Sequence, residues 1–248
     1  MPPSPPALLP PGLLAAMLRS DSTRPRLTCY DDGPGPSAGE RVELSARVLG
    51  NWVAKAGNCL QDELDAGRGT RVLLALPTHW RAFYWALAVW SVGATVRLAP
   101  SGEALPLAAD CDVVVSDEVS VVAAAQGPSV LVSLPMLSRS HPDTPTGAVD
   151  EARELATYGD VFDPWDAAEP DDAGLLVRDV STPHGGLVTA APQWGSRPRV
   201  LLDGPLSQVL PLALSAWAAE GSVVLLRGGA ADQTARSTSE GVTVDARS

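Results

Sequence analysis

Apolar residues recur along the chain with two periods. Val48, Leu49, Trp52, Val53, Ala56 and Leu60 return every three or four positions. That spacing predicts a helix from about Ser45 to Leu64 with one buried stripe, and Ser45 as its N-cap. Gly67 and Gly69 close it. Val72–Leu76 is an unbroken apolar run ended by Pro77, the pattern of a strand covered on both faces. His79–Val92 is the next helix, with Trp80, Phe83, Tyr84, Leu87 and Trp90 on its apolar side and Gly93 as its stop. Ala94–Leu98 and Val113–Ser116 read as strands, Val119–Gln126 as a helix and Val130–Leu134 as a strand. Further on, the pattern predicts a helix over Val149–Tyr158 with Ala152, Leu155 and Ala156 inward, and a strand at Leu175–Arg178. Val200–Leu202, Leu206–Ala219 and Ser222–Leu226 give strand, helix, strand again. Near the ends, Pro11–Arg19 reads as a short amphipathic helix, Leu27–Tyr30 as a strand, and Val242–Val244 as a short strand.

This alternation predicts an α/β fold with mainly parallel sheets flanked by helices. Pro- and Gly-rich or acidic stretches punctuate it at Asp31–Gly39, Pro135–Gly147 and Asp160–Asp172. They divide the chain into an N-terminal arm and short helix (1–26), a first α/β lobe (27–134), a connecting segment (135–172) and a second, incomplete lobe (173–248).

Composition narrows the function. The chain has 248 residues, 45% of them apolar, and a formal charge of −11. The apolar share excludes a disordered acidic chain. The negative balance argues against nucleic acid and anionic membranes, which need a positive face. Ala7–Leu18 is interrupted by Pro10 and Pro11 and lacks a basic start, so neither a signal peptide nor a membrane span is expected. A cytoplasmic protein follows as the expectation. Cys29, Cys59 and Cys111 are too sparse for a zinc site or a disulfide framework and read as core thiols. Lys55 is the only lysine.

Short motifs add little chemistry. Gly35-Pro36-Ser37-Ala38-Gly39 matches G-x-S-x-G, but no strand leads into it, as a nucleophile elbow requires. Gly33-x-Gly35-x-x-Ala38 fails the same context test for a dinucleotide fingerprint. His79, His141 and His184 form no ligand pattern. His79 sits where a helix starts and reads as a cap or packing residue. Asp62, Glu63 and Asp65 read as a solvated helix end. The aromatic helix from Trp80 to Trp90 reads first as core.

The order of segments does resemble a known family. Leu44-Ser45-x-x-x-Leu49 is similar to the first core motif of the adenylate-forming superfamily, which includes acyl-CoA synthetases. Gly69-Thr70-Arg71-Val72-Leu73-Leu74-Ala75-Leu76-Pro77 resembles its "G-D-R-V-A-x-x-L-P" strand. Ala86–Pro100 resembles its "A-x-x-A-x-x-x-A-G-A-x-x-V-P-L" helix and strand. Leu76-Pro77-Thr78-His79-Trp80 resembles the "L-P-x-H-W" of short actinobacterial proteins that look like the N-terminal AMP-binding region of such enzymes. Leu210–Leu226 and Glu240-Gly241-Val242-Thr243-Val244 are similar to later units of the same region.

The resemblance implies ATP or AMP as cofactor and a phosphate loop, S-G-T-T-G-x-P-K-G in the family, after the Leu175–Arg178 strand. Ser181, Thr182, His184, Gly185 and Gly186 are the residues here that would contact phosphate. Inner glycines are missing and His184 stands where the family has lysine, so the loop is degraded. Lys55 does not match the position of the family's catalytic lysine, and no metal site or catalytic residue is assigned. The expectation is a truncated homologue without adenylation activity, acting as a binding or scaffold protein. The alternative is a ligand-binding subunit that completes an acyl-activating site with a partner chain. Exposed sheet edges lead to the further expectation of a homo-oligomer or a protein partner.

Overall fold

Among the described residues, twelve short strands, joined mostly through helices, build two sheets. The computed structural model describes residues 7–229 and 233–247. The first part of the N-terminal arm, residues 1–6, lies outside them. Helix α1, Pro10–Asp21, starts on prolines, whose missing N–H groups cost nothing in a first turn, and buries Leu13, Leu14 and Met17. Strand β1, Pro25–Asp31, pairs antiparallel with β2, Glu40–Ser45. In β2 Val42 and Leu44 are buried while Arg41 and Glu43 face out, a period of two. Helix α2, Ala46–Asn58, is capped by the Ser45 hydroxyl, which accepts from Val48 N at 3.2 Å. It widens into a π-turn over Cys59–Glu63. The expected stripe is buried except that Val48 is exposed and Trp52 half-buried.

Strand β3, Arg71–Ala75, leads to helix α3, Trp80–Ser91, then β4, Thr95–Leu98. Short elements follow: α4, Ala104–Ala108; β5, Val113–Ser116; α5, Val119–Ala123; and β6, Ser129–Leu131. The helix expected over Val149–Tyr158 is instead a strand bridge, β7, Val149–Asp150, a single turn, α6, Glu151–Glu154, and a 3-10 turn, Leu155–Thr157. Glu151 and Leu155 point inward, Ala152 is half-buried and Ala156 is exposed. Then come β8, Ala173–Val177; β9, Val180–Pro183; α7, His184–Leu187; β10, Arg199–Leu202; α8, Leu206–Ala218; and β11, Ser222–Arg227. Helix α9, Gln233–Ser239, and β12, Val244–Asp245, finish the described chain. The last strand therefore starts two residues later than expected.

One sheet has the order β12-β10-β11-β1-β2 and the other β7-β6-β5-β3-β4-β8-β9. All pairings are parallel except β1 with β2 and β8 with β9. The sheets do not divide where the punctuation does. Strands β1 and β2 join the sheet of β10–β12, and β7, β8 and β9 join that of β3–β6. Each sheet thus draws strands from both sides of residues 135 and 173: parallel pairing needs crossovers, and these carry the chain from one sheet to the other and back.

Helix α3 lies between the sheets. It packs on β3 and β4 of one, on β1 of the other, and on α1 and α2. Every residue from Trp80 to Trp90 is buried, including Arg81. The Arg81 Nη1 donates to Glu151 Oε1 at 2.6 Å, its Nη2 to the Pro135 carbonyl at 3.0 Å, and its Nε to the Leu134 carbonyl at 3.3 Å. The Tyr84 hydroxyl also donates to Glu151 Oε1. Removing one partner of such a pair leaves an uncompensated buried charge. Glu151→Ala is expected to lower stability to chemical denaturation by about 3 kcal/mol or more. Glu154→Ala, which frees the exposed Arg153, should cost below about 1 kcal/mol in the same titration.

Candidate functional site

Carboxyl ends of parallel strands are where open α/β sheets leave a crevice, especially where strand order reverses. Here β3 sits centrally, with β4 on one side and β5 on the other. Above that switch point lies a cleft of about 820 Å³. Its floor and walls come from the segments just after β3 (Leu76, Pro77, Thr78), β4 (Ala99, Pro100) and β8 (Arg178), and from Pro205 and Leu206 at the start of α8. The lining is mainly apolar between two charged ends.

Asp117 and Glu118 form one end, directly after β5. The Ser116 hydroxyl accepts from Glu118 N at 3.1 Å and donates to the Ala75 carbonyl at 3.0 Å, which fixes this corner against β3. Burial, with Glu118 adding to it, pushes the Asp117 carboxyl up to about 6. Arg178 forms the other end. It occupies the left-handed region at φ 53° in the two-residue turn, Arg178-Asp179, that joins β8 to β9. Its guanidinium has no ion pair among the described residues.

Arg227, at the end of β11, also reaches the cleft, but its charge is matched. Its Nη1 lies 2.6 Å from both oxygens of the buried Asp31. Asp31 also accepts from the Ser37 hydroxyl at 2.7 Å and from Gly33 N at 3.1 Å. His79 Nε2 is 3.9 Å away. Burial and the nearby Arg81 hold the His79 imidazole down to about 3, so it is neutral, and its Nδ1 caps α3 by accepting from Arg81 N at 3.4 Å. Ser37 of the G-x-S-x-G stretch is thus a buried donor to a carboxylate, with no strand–helix elbow around it. The loop before β2 is also held at Gly228, where φ is 82° and an added Cβ would lie 2.6 Å from Gly33 N.

The phosphate-loop residues fall elsewhere. The turn after β8 is two residues long, and Ser181 and Thr182 belong to β9, paired with Leu176 and Leu175. The stretch from 181 to 186 is therefore a strand and a helical turn, not a loop. His184 N donates to the Asp172 carbonyl at 2.9 Å and Gly185 N to that of Pro170 at 2.8 Å. The His184 ring is buried, and that burial holds it below the usual histidine range. Gly186 ends up exposed in the same turn. None of Ser181, Thr182, His184, Gly185 and Gly186 lines the cleft. Lys55 bonds the Ala156 and Tyr158 carbonyls and pairs with Asp160. The three cysteines are free and buried, as expected of core thiols. Among the described residues there is no group of three or more His, Cys, Asp or Glu placed for a metal, and no helix long and apolar enough to cross a membrane.

Sequence reading missed Asp117, Glu118, Arg178 and Arg227. Asp117-Glu118 and Arg178 directly follow apolar strands and Arg227 ends one, and that position was the available signal.

No family model matches the chain. A TIGR03089 family protein of Mycobacterium tuberculosis is 37% identical over 175 residues, 71% of this chain and 70% of that protein. The chain belongs to the TIGR03089 family. Solved structures show what fold this family member has. Brucella canis acyl-CoA synthetase superposes with a TM-score of 0.76 at 15% identity, over 98% of this chain and 48% of that one. Mycobacterium tuberculosis fatty acyl CoA synthetase gives 0.65 at 17% identity, over 90% and 45%. The Klebsiella oxytoca NpsA N-terminal subdomain in complex with 3-hydroxybenzoyl-AMSN gives 0.68 at 15%, over 96% and 59%. The TIGR03089 chain thus has the α/β fold of the N-terminal region of adenylate-forming enzymes, and spans about half the length of the two synthetases.

The ordinary aspartate value is 3.8 and the folded value of Asp117 is higher. Ionising it therefore destabilises the fold, with no cost below pH 4 and a full cost above pH 6. Asp117→Asn should be more stable than the parent at pH 7.5 by on the order of 2 kcal/mol, the difference vanishing at pH 4, read by urea unfolding at the two pH values.

Proposed function

We propose that this chain binds a small amphiphilic acid in the cleft between its sheets and does not itself activate that acid with ATP. One observation carries the reading: a mainly apolar cleft at the carboxyl ends of β3, β4, β5 and β8 is bordered by a two-residue turn rather than by an amide-lined loop. Binding sites are commonly concave and apolar with a few polar groups at fixed places. The segment 181–186 does not fit a triphosphate. Two of its N–H groups already have carbonyl partners, and its only basic side chain is a buried, neutral imidazole. Adenylation needs donors pre-set against charge that develops on phosphate, and this segment offers no such set. The solved NpsA N-terminal subdomain supports the ligand-binding half of the reading, since it holds 3-hydroxybenzoyl-AMSN as a subdomain.

Calorimetric titration with octanoate and with 3-hydroxybenzoyl-AMSN tests the first half. Saturable binding of at least one is expected, weakened tenfold or more by Ala99→Trp, which fills the cleft. Acid-dependent exchange of pyrophosphate into ATP tests the second half. No exchange above a protein-free blank is expected, and exchange that follows the concentration of this chain would overturn the reading.

A further inference from the structure

Both ends of the cleft are charged, with opposite signs. Asp117 and Glu118 follow β5, and Arg178 follows β8. In the sheet these strands are separated by β3 and β4, so three inter-strand steps lie between them. At ~4.8 Å per step that is a span of roughly 14 Å at the backbone. The lining that β3 and β4 contribute between them is Leu74 to Thr78 and Leu98 to Gly102, none of it charged. Neither end forms an ion pair in the fold: Asp117, Glu118 and Arg178 make none among the described residues, although Arg227 attracts Asp117 from a distance. Arg227, which lies near the acidic end, is already held by both oxygens of Asp31. A ligand with a single acidic head would satisfy Arg178 and leave two carboxylates facing its apolar tail.

We propose that the ligand carries an anionic group at one end and a cationic group at the other, joined by an apolar body: the carboxylate meets Arg178, and the amine meets Asp117 and Glu118. This deepens the reading of the cleft as a binding site and rests on it. Opposite charges across a site fix orientation as well as partner, because the reversed ligand meets like charge at both ends. Half-burial of Asp117 makes its contact with an ammonium stronger than one at an open surface.

The test is calorimetric titration at pH 7.5 with 8-aminooctanoate, octanoate and octylamine, on the parent chain and two variants. In the parent, 8-aminooctanoate is expected to bind at least tenfold tighter than either single-headed compound. Arg178→Ala should erase its advantage over octylamine. Asp117→Asn with Glu118→Gln should erase its advantage over octanoate. Both variants alter cleft-facing side chains, and a melting curve shows that each folds. Octanoate binding as tightly as 8-aminooctanoate, or an advantage that survives both variants, overturns the two-headed ligand and leaves the cleft as a site for simple acids. Absence of binding by all three compounds, and by 3-hydroxybenzoyl-AMSN, overturns the binding site itself.

Discussion

A helix buried on every side must be covered by protein all round, and α3 sets that condition for the whole chain. From Trp80 to Trp90 no residue is left to solvent. One sheet cannot cover such a helix, and neither can a single neighbouring helix. The chain meets the demand with two sheets, α1 and α2. Aromatic packing fills the space between them: Trp52 stacks on Tyr84 at 5.6 Å, and Phe83 meets the edge of Trp217 at 6.1 Å. The Trp217 indole donates to the Arg26 carbonyl and that of Trp90 to the Gly174 carbonyl, so these two rings find polar partners across the core.

Burying α3 whole also sets the polar chemistry around it. Arg81 enters the core with the helix, and a buried guanidinium needs an acid and several acceptors. Glu151 and the carbonyls of Leu134 and Pro135 supply them, which ties the segment after β6 to the middle of the molecule. At its N-terminus α3 brings His79 up to Asp31, and Asp31 is itself clasped by Arg227 and Ser37. The carboxyl ends of the two sheets therefore meet at one shared polar cluster, beside the cleft.

Much of this fold is legible in the residues. Apolar runs such as Val72–Leu76 mark the central strands because these are covered on both faces. The order of the adenylate-forming motifs marks the family fold. Strand β2 carries a period of two, Arg41 and Glu43 against Val42 and Leu44, but with only two apolar positions it stands out less than the continuous runs, and α4 and α7 escape because four or five residues carry no periodicity. The assignment of strands to sheets is invisible locally, since β1 and β11 lie almost two hundred residues apart and still pair. The site was harder still. Asp117 and Arg178 are single charges far apart in sequence, and only the strand order β5-β3-β4-β8 places them at two ends of one cleft. At the 181–186 stretch, motif spacing does not reveal that β8 turns straight into β9.

That turn also has a structural consequence. Much of the cleft's lining after β3 and after β4, the neighbour of β8, starts from buried strands, where a longer segment would press on packed neighbours. The Arg178-Asp179 turn closes an antiparallel pair at the outer border of its sheet, where added residues would project outward without shifting the ladder. Each doubling of such a connection costs only ~0.6 kcal/mol in closure entropy. A longer connection at this border would change what the cavity holds while the architecture beneath stays the same.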